Sequence, residues 1–259
     1  MSKLTKVLAL VSVLALLATA CGGGTDTSEF GLIDDTKIII CTDSPYRPFE
    51  FQDDAGNFDG FDVDLMEEIA AGLDLDLEWV VTPFDGIWLQ PAAGNCDLVV
   101  SAMTIKPDRA ENALFSDPYF DSGQSLLVKQ ANQDLKPADM GGKVIGVQTG
   151  TTGEIYAESN KPADATLKSY DEPAAMFLAL DAGEIDAILQ DLPVNLDRTL
   201  EDSSVVISEA FEAEEQYGFA SSLESTALIE AINDELQKVR DSGKYDEIYE
   251  RWIGAAPGA

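Results

Sequence analysis

Asp97 to Arg109, Asp-Leu-Val-Val-Ser-Ala-Met-Thr-Ile-Lys-Pro-Asp-Arg, is the stretch around which this chain is organised. It begins as a short apolar run, typical of a buried strand, and then breaks into small and hydroxyl residues. Pro107 favours a helix start, because a proline in the first turn loses no hydrogen bond. Arg109 falls in that turn, where the helix dipole favours anions. It is therefore either part of a carboxylate pocket or a surface arginine paired with Asp108 or Glu111.

The composition restricts the function classes. The chain has 259 residues, 45% of them hydrophobic, which is enough for one or two packed domains. It carries 48 acidic and 16 basic residues, and a net charge of −32 repels nucleic acid and anionic membranes. The absence of histidine excludes Ser-His-Asp and Cys-His nucleophiles and histidine-ligated metals. We expect no nucleic-acid partner, no metal and no cofactor.

Residues 1–21 have the pattern of an export signal, with a basic start, an apolar run and small residues before Cys21. The apolar run at 7–18 is shorter than a typical transmembrane helix. Cys21 and the glycines after it resemble a bacterial lipobox, which predicts a lipid on Cys21 and a lipoprotein on the outer face of the cell membrane. The alternative is an ordinary signal cleaved before Cys21, which leaves a periplasmic protein. Residues 22–33 suit a flexible tether.

Strand and helix patterns alternate along the rest of the chain. Strands are predicted at 37–42, 77–81 and 97–102, and apolar residues every fourth position predict a helix from Gly60 to about Leu73. A second predicted helix follows Pro83 and runs up to Gly94. This β-α-β-α-β order predicts a mostly parallel sheet covered by helices. After Tyr119 the alternation begins again, so the sequence predicts two α/β units in series.

Polar residues cluster where predicted strands end. They are Asp43, Ser101, Thr104, the loop 149–152 and Asp191. Ligands of open α/β sheets bind beyond the carboxyl ends of strands, so this clustering predicts a cleft between two lobes. Two members have structural alternatives, since Asp191 and the threonines of the loop are also good helix N-caps.

Cys41 and Cys96 raise the question of a disulfide, which an exported protein can form. If their strands are parallel neighbours, Cys41 aligns near Val100. Cys96 then lies roughly 13 Å away along an extended strand, whereas bridged Cα atoms lie within about 7 Å. This geometry disfavours a bridge without excluding it.

Four motifs together resemble a known family. They are Gly60-Phe-Asp-Val-Asp-Leu65, Thr104-Ile-Lys-Pro-Asp-Arg109, Phe115-Ser-Asp-Pro-Tyr119 and Gly243-Lys-Tyr-Asp-Glu-Ile-Tyr-Glu-Arg-Trp252. Over about residues 36–254 the chain resembles the polar amino-acid-binding proteins of bacterial ABC importers, the family 3 solute-binding proteins. The resemblance implies the α/β, two-lobe periplasmic-binding-protein fold of type II. It also implies a monomer that captures a free L-amino acid and delivers it to an ABC permease in the membrane.

The resemblance also implies how the chain divides. Lobe 1 is expected at 34–118 and 218–259, and lobe 2 at 124–211. Two hinge strands, near 119–123 and 212–217, join them. Ligand binding would close the cleft by a hinge motion.

The family's pocket residues carry over where the motifs match. Arg109 falls on the arginine that binds the ligand α-carboxylate, with help from Thr104 and the Thr152 backbone amide, and Asp191 falls on the carboxylate that binds the α-ammonium. The other predicted contacts are Asp43 facing the ligand side chain, the aromatic walls Tyr46 and Phe84, and Ser101, Ala102, Gln148 and Thr151.

Departures from relatives bear on the ligand. The glutamine-binding relative carries a lysine where Gln148 stands and a histidine where Gln190 stands. The lysine/arginine/ornithine-binding and histidine-binding relatives share the Gln-Asp of Gln190-Asp191. With Asp43 facing the side chain, these features predict a basic amino acid, arginine or lysine. The alternatives are glutamine or another neutral polar amino acid, and an enzyme of the same fold such as a cyclohexadienyl dehydratase.

Overall fold

The computed structural model describes residues 30–254, apart from the side chains of 212–214. It has the α/β class that the sequence predicts. The strands of this part of the chain are β1 (Lys37–Thr42), β2 (Phe51–Gln52), β3 (Phe58–Asp59), β4 (Asp76–Val81), β5 (Leu98–Val99), β6 (Leu114–Phe115), β7 (Phe120–Lys129), β8 (Val144–Gln148), β9 (Thr166–Tyr170), β10 (Ala187–Asp191), β11 (Val205–Tyr217) and β12 (Ala220–Ser221). The α-helices are α1 (Phe61–Leu73), α2 (Pro107–Ala110), α3 (Thr152–Asn160), α4 (Pro173–Ala182), α5 (Leu192–Glu201), α6 (Thr226–Asp241) and α7 (Lys244–Trp252).

The first sheet has the strand order β4-β1-β5-β12-β6. β1 runs parallel to β4 and β5, whereas β12 pairs antiparallel with β5 and β6. The predicted apolar face of α1 lies in the core of this sheet, since Phe61, Leu65, Ile69 and Leu73 are at most 3% exposed. Burial of such side chains contributes about 1.5–3 kcal/mol each, which holds α1 in place. α6 and α7 supply further side chains to the same core.

The second sheet has the order β11-β7-β10-β8-β9. β8, β9 and β10 are parallel, and β7 is antiparallel to β10 and β11. The predicted hinge segments lie side by side in the β7-β11 pair, where Phe120 faces Tyr217 and Ser122 faces Glu215. Tyr217 also forms a bridge with Thr104, beyond the end of β5 in the first sheet. The two strands thus pass between the sheets, and the lobe limits and hinge function stay predictions.

Two predicted elements are shorter than expected. The strand predicted over 97–102 is paired as a strand only at Leu98–Val99, because the Asp97 carboxylate accepts the N–H groups of Ile33 and Ile39. The chain then turns at Ala102, which has a left-handed φ of 41°. The helix predicted up to Gly94 is a 3-10 turn at Ile87–Leu89 followed by further turns.

Cys41 and Cys96 form a disulfide, so the geometric expectation against it is wrong. The predicted register was off by one residue, since Cys41 faces Val99. The larger error was the assumption that the strand already runs extended at Cys96, because residues 91–94 form turns and Asn95 a bend just before it. The two Cα atoms lie 5.8 Å apart, which is within the range for a bridge.

The predicted tether ends earlier than expected. Phe30 and Leu32 are buried in the core of the first sheet, so residues 30–33 pack on the fold instead of serving as a linker. The predicted signal and Cys21 lie outside the described residues. Within 30–254, no helix has both the length and the apolar character that a membrane crossing needs.

Candidate ligand-binding site

A cavity between the two sheets brings all eleven predicted pocket residues together. It contains about 300 Å³ of empty space. Its lining is Asp43, Tyr46, Phe84, Ser101, Ala102, Thr104, Arg109, Gln148, Thr151, Thr152 and Asp191. These residues end or follow β1, β4, β5, β8 and β10, so each sheet supplies part of the wall from the carboxyl ends of its strands.

Arg109 is buried inside this cavity, with 1% of its surface exposed. Its guanidinium donates to the carbonyl oxygens of Thr104 at 2.8 Å and Gly150 at 3.1 Å, which lie on opposite sides of the cavity. It also lies over the rings of Phe84 and Trp88, at 5.2 and 5.0 Å from the ring centres. The two carbonyls and two aromatic faces orient the cation toward the cavity.

Arg109 has no carboxylate within 4.0 Å among the described side chains, and its buried Nε has no hydrogen-bond partner there. Asp108, the proposed surface partner, lies 3.3 Å from Lys106 instead. The surface ion-pair interpretation is therefore wrong. Burial lowers the pKa of Arg109, and the negative charges of Asp108, Asp191 and Glu215 oppose that shift. A buried cation with spare donors is well suited to an anionic group of a ligand.

Asp191 ends β10 and stands at the N-cap position of α5, but its side chain makes no cap hydrogen bond. The capping alternative is therefore wrong for this carboxylate. It accepts hydrogen bonds from the hydroxyls of Tyr46, at 2.8 Å, and Tyr217, and from the amide of Gln124. Burial raises the pKa of Asp191 to about 6, and the nearby charge of Glu215 adds to the effect.

The loop before α3 divides its roles between two threonines. Thr151 Oγ1 accepts the backbone N–H of Glu154 at 3.1 Å, so the N-cap alternative is correct for this residue. Thr152 Oγ1 instead donates to Glu215 Oε2 at 3.0 Å inside the site. The Thr152 hydroxyl therefore contacts a side chain at the cavity, whereas the Thr151 hydroxyl caps the helix.

Asp43 follows β1 and lines the cavity on the side of the first sheet. Gln148 donates to its carboxylate at 2.5 Å from the second sheet. The Asp43 backbone N–H binds Ser101 Oγ at 2.9 Å, and that hydroxyl donates to Glu50 at 2.8 Å. Burial raises the pKa of Asp43 to about 6. The Asp43–Gln148 contact shows that side chains of both sheets meet directly across the cavity.

Behind the cavity wall, Asp62 of the Gly-Phe-Asp-Val-Asp-Leu motif holds the turn at Ala102. Its carboxylate accepts the Ala102 N–H at 2.9 Å and the Tyr119 hydroxyl at 2.7 Å. Asp62 is fully buried, and burial raises its pKa to about 7. Sequence reasoning used this motif only as a landmark, and its supporting contact with the site appears only in three dimensions.

Sequence reasoning missed three polar residues of the site, namely Gln124, Glu215 and Tyr217. All three lie on the paired strands β7 and β11. Gln124 donates to Asp191 and, at 3.2 Å, to Glu215, while Thr104 donates to Glu215 at 2.9 Å. The available signal was the two-residue alternation Glu215-Gln-Tyr217, which puts both side chains on one face of a strand.

A larger concavity lies elsewhere, along α1 and β4. It is an open surface groove of about 1950 Å³. Its lining includes Glu67, Asp74 and Asp76, and within the described chain no basic residue lines it, so it lacks a partner for a carboxylate. No cluster of three or more cysteine, aspartate or glutamate side chains in residues 30–254 is arranged to hold a metal ion. The cavity between the sheets is therefore the candidate site.

The sequence profile of one family, bacterial extracellular solute-binding proteins, family 3, matches residues 38–255. The chain belongs to this family. It is similar to the L-cystine-binding protein TcyJ of Escherichia coli K12, with 31% identity over 94% of this chain and 95% of TcyJ. The family's two-lobe type II fold is the fold described above.

Solved structures of solute-binding proteins agree with this assignment. A mutant of ArgBP from T. maritima is 36% identical and has a TM-score of 0.79. The match covers 83% of this chain and 94% of the ArgBP chain. An ancestral arginine-binding protein, solved with arginine and with glutamine, is 35% identical with a TM-score of 0.80, over 84% of this chain and 98% of its own. AncCDT-1, an ancestral amino-acid-binding protein and precursor of cyclohexadienyl dehydratase, is 34% identical with a TM-score of 0.75. The match covers 84% of this chain and 95% of AncCDT-1.

Proposed function

We propose that this protein is the substrate-binding component of an ABC importer and captures a basic amino acid, arginine or lysine, for delivery to a membrane permease. The observation that carries the proposal is the pairing of a buried Arg109, which lacks an anionic partner among the described side chains, with a buried Asp191 in one cavity. An α-carboxylate and an α-ammonium match these two charges. Each charge-assisted hydrogen bond contributes about 1.5–3 kcal/mol, which favours a zwitterion over other small molecules.

The preference for a basic side chain rests on charge. A zwitterion neutralises Arg109 and Asp191, which leaves the Asp43 carboxylate of the same cavity without a cation. A guanidinium or ammonium on the ligand would supply that cation. Among the cavity residues, Arg109 is the sole lysine or arginine. The arginine-binding proteins among the solved relatives support the same ligand class.

Glutamine is the second candidate. The ancestral arginine-binding protein was also solved with glutamine, so related pockets accept both. In this chain Gln148 and Asp43 could hydrogen-bond a side-chain amide, but an amide leaves the Asp43 charge unpaired.

Thermal-shift screening against the twenty amino acids, followed by calorimetry, tests the proposal. A ligand at 100 times its Kd stabilises the folded protein by about 2.7 kcal/mol, which gives a clear rise in Tm. We expect the largest rise with L-arginine or L-lysine. Tight binding of L-glutamine without binding of L-arginine would overturn the basic-ligand assignment, and no binding of any amino acid would overturn the function itself.

We propose binding without catalysis. The alternative is an enzyme such as cyclohexadienyl dehydratase, because a precursor of that enzyme is among the similar solved structures. A dehydratase would turn over prephenate or arogenate, and we expect neither substrate to be consumed by the purified protein. Turnover of either would replace the binding proposal.

Attachment of a lipid at Cys21 and action as a monomer complete the proposal. A lipid anchor would hold the protein on the outer face of the cell membrane, close to its permease. Mass spectrometry of the cell-derived protein should show a lipidated Cys21 as the first residue, and Cys21→Ser should release the protein. Light scattering should give the mass of a monomer.

A further inference from the structure

Glu215 is a carboxylate of the protein itself that lies at the edge of the cavity and contacts two of the residues that line it. Its Oε2 accepts hydrogen bonds from the hydroxyls of Thr104, at 2.9 Å, and Thr152, at 3.0 Å. Thr104 follows the first sheet's β5 and Thr152 begins α3 beside the second sheet, so Glu215 joins the two walls. Its negative charge also acts on Arg109. Arg109, Thr104 and Thr152 are also the residues predicted to bind a ligand α-carboxylate, Thr152 through its backbone amide.

The backbone of β11 directs Glu215 into this position. Between Phe211 and Glu215 the pairing with β7 shifts, so that residues 212–214 stand against Gly123 alone. Such a bulge re-aims the next side chain and breaks the regular ladder. Tyr217, two residues on, faces the same way and reaches Asp191.

We propose that Glu215 is an internal competitor: its carboxylate occupies the subsite of the ligand α-carboxylate, and the amino acid must displace it to bind. This inference rests on the proposed function. Both threonine hydroxyls are committed to one oxygen of Glu215, and two carboxylates cannot share these donors without strong repulsion. Glu215 therefore sets how tightly the site holds any ligand that carries a carboxylate. The opposing assignment is that Glu215 binds the ligand ammonium together with Asp191.

Calorimetry on Glu215→Gln and Glu215→Ala separates the two assignments. The probes are L-arginine and agmatine, which is arginine without its carboxylate. We expect Glu215→Ala to lower the Kd for L-arginine about tenfold, a change of about 1.4 kcal/mol, and Glu215→Gln to lower it less. The Kd for agmatine should not fall, because agmatine has no carboxylate to gain the freed donors. Glu209→Gln on β11 is the matched control, since it removes one charge outside the cavity and should leave both Kd values unchanged.

Each other outcome has a defined meaning. An unchanged or raised Kd for L-arginine in both Glu215 variants overturns the competitor, and a raised Kd for both probes assigns Glu215 to the ammonium. An equal gain for L-arginine and agmatine also overturns it. Unchanged Tm values without ligand show that both variants fold. If the wild type binds no amino acid but Glu215→Ala does, the competitor stands and the proposed function of the wild type is rejected; if neither binds, both this inference and the proposed function are rejected.

Discussion

The Arg109 charge is buried, and its hydrogen-bond acceptors are two neutral carbonyls, so an anionic group of a ligand would stabilise it. We expect Arg109→Met to raise the Kd for L-arginine at least about 100-fold, since two charge-assisted hydrogen bonds are lost while the side-chain volume is retained. Calorimetry measures this, with Arg251→Met, at an exposed arginine, as the control. Normal binding by Arg109→Met would show that the site assignment is wrong.

The carboxylates of the cavity make ligand affinity depend on pH. Burial raises the pKa values of Asp43 and Asp191 to about 6, and both must be ionised to attract cationic groups. The ligand prefers the deprotonated protein, so affinity is full above pH 7 and falls as the pH drops through 6. At pH 5 each group is roughly 90% protonated, which costs about tenfold in Kd per group.

Two probes separate the contributions of the two groups. L-arginine should lose about 100-fold between pH 8 and pH 5, because it engages both Asp43 and Asp191, whereas L-glutamine should lose about tenfold through Asp191 alone. Calorimetry at both pH values measures each. Equal losses for the two ligands would contradict the assignment of Asp43 to the ligand side chain.

Asp62 makes the stability of the ligand-free protein depend on pH in the opposite sense to that of an ion-paired carboxylate. Burial raises its pKa to about 7, so the folded protein holds this proton more tightly than the unfolded chain does. The linkage therefore lowers stability as the pH rises from about 4 to about 7, and the stability changes little outside that window. Asn can still accept the Ala102 N–H and the Tyr119 hydroxyl through its carbonyl oxygen, without titrating.

We expect Asp62→Asn to gain about 2–3 kcal/mol of unfolding free energy relative to wild type between pH 5 and pH 8. Urea unfolding of both proteins at the two pH values measures this. Asp241→Asn, at an exposed position on α6, should show no such gain. If Asp62→Asn lost stability equally at both pH values, the ionised form of Asp62 would not be the unfavourable state.

At the scale of elements, the disulfide joins β1 to the segment just before β5, and Asp43 and Ser101 follow the ends of these two strands. The bridge spans 55 residues, and closing a loop of that length restricts the unfolded chain. We expect the double variant that combines Cys41→Ala and Cys96→Ala to lose about 2–4 kcal/mol of unfolding free energy. Urea unfolding should give the same loss for the wild type once it is reduced, and no further loss when the double variant is reduced. A fully reduced wild type of unchanged stability would contradict this.

The elements also explain which sequence patterns were informative. The regular helix spacing of α1 gave its bounds and buried face, because a continuous apolar stripe of that length has one way to pack. The apolar run at 97–102 was misleading, because its backbone partners are set by Asp97 and by the turn at Ala102. Short strands depend on distant neighbours, and local sequence does not contain them.

At the scale of the whole molecule, the net charge of −32 acts on the approach of a ligand. A cationic ligand is drawn toward such a field, and salt screens the attraction over about 10 Å at 0.1 M. We expect the association rate of L-arginine to fall several-fold between about 20 and 500 mM salt, whereas that of neutral L-glutamine changes less than about twofold. Stopped-flow tryptophan fluorescence measures this, since Trp88 lies beside Arg109. Equal salt dependence for both ligands would contradict electrostatic steering.

Local sequence was enough to predict the α/β class, the family and the eleven residues that line the cavity, because strand-end polar residues and family motifs are local in the chain. Three features became visible only in three dimensions: the disulfide, the support of Ala102 by Asp62, and the contact of Glu215 with Thr104. Each joins residues 40 to 111 positions apart, through turns and a bulge whose geometry depends on neighbouring strands. The stretch 97–109 thus predicted Arg109 as a binding residue, and only the fold showed that the Glu215 carboxylate contacts Thr104 of the same stretch.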